Sequence, residues 1–360
     1  MSKIVKWSSL PDELVDLIAD RVFSDVEHLR LRSIRKSWRS AIATNKRFPK
    51  RFNLNRRRPL CSYSGHTCLL SPAAFFRVVL SSCPNKGWLI KTQDVSKLRK
   101  QLVSPLSRVF ISSSEPTLNL FDYTVTEIHQ SYDVQYSVDF NRMSLNFARV
   151  VLVDDLVFAV NRYKEIRWCN SGESSTSTNA WTRILDEEAE HFSDIIVHKG
   201  QIYALDIKSA IWWISLSKLN IYQFGPSIPM NEYDIIDCKE KRLVECCGDL
   251  CVVHRFCKRF RVKRVNIEKT IGFKVYKMDE EMVEWVEIKS LGDQAFVMAT
   301  DSCFSVLASE YYGCLENSIY FTDEEEKDNV KVFKLCDGSI TKMVKSSCES
   351  CFQMFSPPFA

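Results

Sequence analysis

The chain has 360 residues, enough for one large domain or two of ordinary size, and 45% of them are hydrophobic, which argues against intrinsic disorder. The 49 basic and 45 acidic residues leave a net charge of +4. That balance argues against a strongly polyanionic partner for the chain as a whole, although it leaves room for local charged patches.

The first residues show no secretory or membrane signal. Met1–Trp7 runs into polar sequence without an apolar signal region, and no apolar stretch approaches the roughly 20 residues that span a bilayer. We therefore expect the protein in the nucleus, the cytoplasm or both. The 14 cysteines are scattered, without the spacing of a small disulfide-bonded domain. We expect reduced thiols that pack as small apolar side chains.

Residues 10–48 have helical periodicity. Pro11 suits the first position of a helix, because its missing N–H would have no partner there. A second helix is predicted to begin at Ser24 or Asp25, since either side chain can cap it. A third helix is predicted to meet the second near Lys36.

The first of these helices has more apolar surface than one helical face requires. Seven of the twelve residues from Asp12 to Phe23 are apolar, while Asp12, Asp16 and Asp20 form a single polar stripe. A segment of about 40 residues buries only a modest fraction of its own surface. The rest of the chain or another protein must therefore cover this apolar arc.

Beyond residue 60 the apolar period shortens towards two, which is typical of β-strands. Asp194–Asp206 is predicted to form a hairpin around Lys199-Gly200, and Leu243–Phe256 one around Gly248-Asp249. Two more strands are predicted in Ala210–Leu216 and Phe304–Ser309.

A weak repeat suggests how these strands are organised. "KVYKM" at Lys274–Met278 is similar to "KVFKL" at Lys331–Leu335, and "IWWISL" at Ile211–Leu216 occupies a comparable place. Irregular repeats of roughly 45–60 residues, each with about four strands, favour propeller blades. The stretch from 65 to 345 would hold five to seven blades, and we predict about six. A two-layer β-sandwich is the competing architecture.

The helical segment closely resembles a known module. "LPDELVDLIADRV" and "LRLRSIRKSWRSAI" are similar to the F-box, three helices that dock onto a Skp-type adaptor. Seven positions match the characteristic apolar sites of the motif and are implied to build or support the adaptor interface: Leu10, Pro11, Leu14, Ile18, Leu29, Ile34 and Trp38.

The resemblance extends along nearly the whole chain. "EWVEIKSLGDQAFV" and "GCLENSIYFTD" are similar to segments of plant F-box proteins with a KIB-type β-propeller. The resemblance implies an α+β protein with an F-box at 7–48, a linker at 49–64 and a propeller at 65–350. It also implies a non-catalytic subunit of an SCF ubiquitin ligase, which joins a cullin through the adaptor and captures a target protein. Some relatives are implied to bind and inhibit a glycogen-synthase-kinase-3-like kinase.

Three groups of charged residues can be interpreted from their spacing. Arg255–Arg264 ("RFCKRFRVKR") is predicted to be a basic strand or loop, with protein recognition or nucleic-acid binding as alternatives. Asp323–Asp328 ("DEEEKD") is predicted to be a solvated loop tip. Helical spacing places four cations on one predicted face: Arg32, Arg35, Lys36 and Arg39. This face is predicted to be either solvated or complementary to an acidic surface of an adaptor.

The cysteine-rich hairpin raises the question of a metal site. Five residues in and beside this hairpin are of the types that bind metal ions: Cys246, Cys247, Cys251, His254 and Cys257. If Gly248-Asp249 is a two-residue turn, Cys246 lies opposite Cys251 as a pair of thiols, without the separated pairs that zinc prefers. We therefore predict no metal and no cofactor, and no catalytic motif stands out. The functional alternatives are a stoichiometric kinase-binding inhibitor and a nucleic-acid-binding β protein.

Overall fold

A computed structural model of the chain describes residues 10–19, 25–44, 58–63, 66–96, 99–107, 109, 111, 122–138, 141–144, 147–171, 181–184, 191–231, 236–262, 265–279, 284–324, 326–343 and 350–358. Within these ranges the chain forms three short helices and then five β-sheets arranged as the blades of a propeller. The prediction of a propeller is confirmed, whereas the prediction of about six blades is wrong.

The helices are α1 (Asp12–Ala19), α2 (Asp25–Ile34) and α3 (Lys36–Thr44). The start of α2 at Asp25 agrees with the capping prediction, and the break between α2 and α3 falls at Arg35. Arg32 therefore lies on α2, Arg35 at the break, and Lys36 and Arg39 on α3, so the predicted basic residues do not form one continuous helical face.

Blade 1 is the largest sheet, with strand order β4-β3-β2-β5-β6 and β1 paired to β2. Its strands are β1 (Arg58–Tyr63), β2 (His66–Leu80), β3 (Cys83–Ser96), β4 (Arg99–Val103), β5 (Tyr123–Val138) and β6 (Asn141–Ser144). β1 lies inside the segment predicted as a linker, of which residues 49–57 and 64 are outside the described ranges. This part of the predicted linker belongs to the propeller, since Leu60 is buried against the next blade.

Blades 2, 3 and 4 are four-stranded antiparallel sheets with sequential strand order. Blade 2 contains β7 (Arg149–Val153), β8 (Leu156–Val160), β9 (Ile166–Asn170) and β10 (Thr182–Arg183). Blade 3 contains β11 (Phe192–His198), β12 (Gln201–Asp206), β13 (Ile211–Ile214) and β14 (Ile221–Gln223). Blade 4 contains β15 (Cys238–Cys246), β16 (Asp249–Val262), β17 (Val265–Asp279) and β18 (Glu284–Ile288).

One of the two predicted hairpins has a different register. The turn at Lys199-Gly200 is as predicted, and it joins β11 to β12. The turn between β15 and β16 is Cys247-Gly248, one residue earlier than predicted, so Cys246 lies opposite Asp249 and Cys251 opposite Val244. Both central residues have positive φ, 53° and 85°, as a type I′ turn requires, and glycine occupies the second position of both turns.

Blade 5 has strand order β20-β19-β21-β22-β23, and β19 pairs with β21 in parallel. Its strands are β19 (Gln294–Met298), β20 (Cys303–Leu307), β21 (Ser318–Asp323), β22 (Glu326–Lys334) and β23 (Ile340–Lys342). β13 and β20 confirm two predicted strands. A short 3-10 helix, Ser350–Phe355, packs against β3, and its Phe352 and Met354 enter the core between blades 5 and 1.

The hydrophobic core is divided among the five interfaces between neighbouring blades. Each interface buries side chains from both sheets, as shown by Leu70 and Val157, Phe158 and Ile202, Leu205 and Val252, Val253 and Ile319, and Tyr320 and Phe75. Because these clusters face each other around a ring, every blade is covered by apolar contacts on both of its faces.

The ring closes between blades 1 and 5. Lys91 of β3 forms a buried ion pair with Asp301, whose two carboxylate oxygens both lie 2.7 Å from Nζ. Ser131 of β5 donates to the same carboxylate at 2.8 Å. Arg77 of β2 donates from Nε to the carbonyl of Glu310 at 3.2 Å. Polar and apolar contacts thus join the first blade to the last.

Candidate functional site: an apolar helical surface and the mouth of the propeller

The three helices pack around a small core of their own. Its buried members are Val15, Ala19, Trp38, Ala41 and Ile42, with Leu10 and Leu31 packed against them. Trp38 is only 4% exposed. The helices therefore use one apolar side of α1 and α3 to hold each other together.

A second set of apolar side chains on the helices is exposed to solvent. Leu14 is 46%, Leu17 53% and Ile34 58% exposed. Leu14 and Leu17 are three residues apart on α1 and so are neighbours on the helix surface. We call Leu14, Leu17 and Ile34 the helical surface. The described parts of the propeller leave these three side chains uncovered. Neighbouring exposed apolar side chains, such as Leu14 and Leu17, are typical of a protein interface.

The structure separates the seven predicted adaptor residues. Leu14 and Ile34 lie on the helical surface, Pro11 is exposed at the start of α1, Leu10 and Ile18 are half-buried, and Trp38 is in the helical core. The side chain of Leu29 is outside the described atoms. Leu17 was missing from the set, although the wide apolar arc of the first helix contained it.

The helices contact the propeller through α2. Arg30 donates from Nη2 to the carbonyl of Val125 on β5 at 2.8 Å and pairs with Glu27 one turn away. Val125 precedes Ser131 by six residues, so the two lie about 20 Å apart along an extended strand. Ser131 is bonded to Asp301 at one end of the ring, which places the contact of Arg30 towards the other end.

A cavity of about 1490 Å³ opens at the end of the ring where Asp301 lies. We call this opening the mouth. It lies beside the turns between β8 and β9 and between β12 and β13, and beside the first residues of β15. Apolar side chains on its wall include Phe147, Ile207, Ile228 and Met230. Its cations are Lys164, Lys208, Lys239, Lys241, Arg242 and Arg255.

Arg242 ties several blades together within the mouth. Its guanidinium donates to the carbonyl of Ala148 at 3.1 Å and to that of Thr300 at 3.2 Å. It also pairs with Glu240 at 2.7 Å and with Asp194 at 3.5 Å. Although burial disfavours its charge, the carboxylates of Glu240 and Asp194 hold the pKa of Arg242 above its ordinary value. The cation is therefore permanently charged and fixed by blades 2, 3, 4 and 5.

A second network corrects the interpretation of the acidic stretch. Asp323, predicted at a solvated loop tip, is buried and pairs with Arg255 at 2.8 Å and with Lys331. Thr270 donates to it at 2.6 Å. Burial opposes ionisation, but the hydrogen bonds from Lys331 and Thr270 hold the pKa of Asp323 below its ordinary value. Arg255 is likewise buried, so it belongs to this network and not to an exposed basic strand.

Lys241 and His254 lie opposite each other on β15 and β16, and both are buried. Lys241 donates to the carbonyl of Ile207, and burial lowers its pKa. Burial, reinforced by the charges of Lys241 and Lys274, lowers the pKa of His254 to about 3. The imidazole is therefore neutral at physiological pH, with Nε2 3.2 Å from the hydroxyl of Ser209.

The cysteine-rich hairpin has the properties of packed thiols. Burial raises the pKa of Cys246 and of Cys251 to about 12, so both are protonated at neutral pH and are poor nucleophiles. Among the described residues, no group of three or more His, Cys, Asp or Glu side chains is arranged to hold a metal ion. The same residues include no helix long and apolar enough to cross a membrane.

Comparison with known proteins agrees with this architecture. The family model "KIB1-4 beta-propeller" matches residues 63–334. The chain is 63% identical to "F-box protein At4g35733" of Arabidopsis thaliana over 362 residues, which covers 99% of each chain. It is 48% identical to "F-box protein At2g26160" of the same species, over 91% of this chain and 98% of that protein. The chain belongs to the KIB1-4 β-propeller family and is a plant F-box protein.

Proposed function

We propose that this protein is the target-recognition subunit of an SCF-type ubiquitin ligase. The helical surface docks onto a Skp-type adaptor, which connects the chain to a cullin, while the propeller holds the protein to be ubiquitinated. The chain itself is not an enzyme in this proposal, because the ligase chemistry belongs to other subunits. Its proposed location is the nucleus or the cytoplasm.

The observation that carries the proposal is the exposure of Leu14, Leu17 and Ile34. A small helical unit that already has its own core gains nothing in folding from further apolar side chains in water. Burying a Leu or Ile side chain in an interface is worth about 1.5–3 kcal/mol, so three of them can anchor a partner. The relatedness to proteins named as F-box proteins supports a Skp-type adaptor as that partner.

Binding to a purified Skp-type adaptor tests the proposal. The variant Leu14→Asp/Leu17→Asp is expected to lose at least a hundredfold in affinity, because two apolar contacts become charges in the interface. Val286→Asp/Ile271→Asp is the matched control, since these side chains are 42% and 40% exposed on blade 4. The control is expected to bind as the wild type does. Equal thermal midpoints would show that both double variants remain folded, since exposed positions change stability little.

Three results would decide between the functions. Retained adaptor binding by Leu14→Asp/Leu17→Asp would refute the helical surface as the interface. Loss of binding together with stabilisation of a target in cells would support the ubiquitin-ligase function. If kinase activity still falls in the double variant while target abundance is unchanged, the protein acts as a stoichiometric inhibitor instead. Affinity purification under proteasome inhibition supplies the targets for the second measurement.

A further inference from the structure

The carboxylates of the mouth are largely neutralised by internal ion pairs. Glu240 bridges Arg242 and Arg255, and Glu268 pairs with Lys239 at 3.2 Å and with Arg259 at 3.3 Å. Asp323, as described above, is held by Arg255 and Lys331. The unmatched charge at the mouth is therefore positive, although the whole chain has a net charge of only +4.

Two lysines at the rim contribute that unmatched charge. Lys164 lies in the turn between β8 and β9, and Lys208 in the turn between β12 and β13; both are exposed. Neither makes an ion pair with the part of the chain that the structure describes. Their turns are held in place, since the backbone N–H of Phe192 donates to the carbonyl of Lys164 and that of Ile207 to His191, at 2.6 and 3.0 Å.

Lys241 supplies a buried donor on the cavity wall. An ammonium group has three N–H donors, and the carbonyl of Ile207 is the acceptor found for Lys241 among the described residues. The buried side chain lines the cavity, so an entering anion can reach a cation that is largely shielded from bulk water. Electrostatic attraction is strongest at such a site, because less water screens it.

An arm projects beside the mouth. The hairpin of β16 and β17 continues past blade 4, with Cys257 paired to Thr270 and Val262 to Val265. Among the described residues of this extension, four cations are exposed, Lys258, Arg259, Arg261 and Lys269, together with the 44% exposed ring of Phe260. Cys257 and Glu268 at its base line the cavity, so the arm and the mouth form one surface.

We propose that the mouth and this arm bind an acidic segment of the target protein, an extended peptide in which Asp or Glu side chains alternate with apolar ones. Its carboxylates contact Lys241, Lys164 and Lys208, while its apolar side chains contact Phe147 and Ile207. This assignment rests on the proposed function, since it names the surface that selects the target.

The apolar part of the wall favours a peptide over nucleic acid. The side chains of Phe147, Ile207, Ile228 and Met230 can pack against apolar side chains of a peptide but not against a continuous row of phosphates. Single-stranded nucleic acid also needs several exposed aromatic rings for stacking. Phe260 is the exposed ring on the described part of the arm, and the ring of Tyr163, next to Lys164 at the rim, has the guanidinium of Arg162 over it at 4.7 Å from the ring centre. Spaced carboxylates separated by apolar side chains fit both the cations and the apolar wall.

Fluorescence anisotropy of the full chain in complex with its adaptor tests this inference. The probe is a short labelled peptide of glutamates interrupted by leucines, and its matched control has glutamine for every glutamate. The glutamate peptide is expected to bind at least tenfold more tightly. Lys164→Glu/Lys208→Glu is expected to weaken it at least tenfold, and Lys241→Met to weaken it in the same direction without adding a negative charge to the cavity.

The control variant has the same change of charge but is placed away from the mouth, on blade 3. Lys199 and Lys218 are exposed in the turns between β11 and β12 and between β13 and β14, at the opposite end of blade 3 from Lys208. Lys199→Glu/Lys218→Glu is expected to change affinity less than twofold. Equal weakening by both double variants, equal binding of the two peptides, or tighter binding of a labelled oligothymidylate would each overturn the inference.

Adaptor co-purification of each sample separates the two proposals. Peptide binding without adaptor binding would refute the proposed ligase function while supporting the mouth as a binding surface for acidic segments. Adaptor binding without selective peptide binding would overturn the mouth assignment alone.

Discussion

The buried ion pair of Lys91 with Asp301 allows a sharp test of how the ring is closed. The two side chains are 0% and 4% exposed, and Lys91 also lies 4.8 Å from the centre of the Phe75 ring. Asp301→Ala would remove both hydrogen bonds from Lys91 and the one from Ser131, and would leave the ammonium buried without this carboxylate. Breaking such a pair costs about 3–5 kcal/mol. That is a large part of the roughly 5–15 kcal/mol by which a folded domain is stable.

Urea unfolding followed by tryptophan fluorescence measures this cost. The matched control is Asp249→Ala, which breaks the pair of Asp249 with Lys277 at the same distance of 2.7 Å but with both side chains 40% exposed or more. It is expected to cost less than about 1 kcal/mol, since water screens exposed charges. The double variant Lys91→Met/Asp301→Leu is expected to recover most of the loss, because well-packed apolar side chains replace a buried pair at little cost. If Asp301→Ala costs no more than Asp249→Ala, the reasoning is refuted.

Two further predictions concern the helices and the buried histidine. Trp38→Ala is expected to destabilise the helical unit by about 3–5 kcal/mol, because it empties the core of the unit. Adaptor binding and protection of the helices from limited proteolysis should then be lost together. Leu14→Asp should abolish adaptor binding but leave the protection from proteolysis intact, and protease resistance of Trp38→Ala would contradict the core assignment. For His254, the folded pKa of about 3 lies below the ordinary 6.5, so between these values the unfolded chain binds more protons than the folded chain. Stability therefore decreases as the pH is lowered, by up to about 1.4 kcal/mol per pH unit. His254→Gln should make this slope shallower in urea titrations between about pH 6.5 and 5, and an unchanged slope would exclude the neutral buried histidine.

The strands were predictable where local chemistry determines them. Lys199-Gly200 marks a type I′ turn because glycine takes positive φ without strain, and apolar alternation marks the strands on either side. The same rule, with glycine in the second position of the turn, would have placed the other turn at Cys247-Gly248. A one-residue error in a turn changes every pair across the hairpin, which is how Cys246 was wrongly placed opposite Cys251.

The number of blades was not predictable from average spacing, because the blades differ in length. Blade 1 alone occupies Arg58–Ser144, whereas blade 2 occupies Arg149–Arg183. The similar segments at Lys274 and Lys331 are also not equivalent: one is in the third strand of its sheet, and the other follows a parallel pair in blade 5. Periodicity detects strands, but long-range pairing decides how many strands make one sheet.

The candidate sites were predicted to different extents. Helical spacing and resemblance indicated Leu14 and Ile34, which the structure leaves exposed, but spacing cannot tell an exposed apolar residue from a core one such as Trp38. The mouth had no readable pattern in the sequence. Its cations come from blades 2, 3 and 4, and only the closed ring brings Lys164, Lys208 and Lys241 to one cavity.

The 3-10 helix at Ser350–Phe355 has a consequence for synthesis on the ribosome. Phe352 and Met354 complete a core that also contains Phe75 and Leu89 of the first blade. At roughly 5–20 residues per second, this first sheet waits tens of seconds before its last packing partners leave the exit tunnel. During that interval its apolar face is accessible to chaperones. A chain truncated just before Ser350 would keep this apolar face exposed, and we expect protein quality control to degrade it.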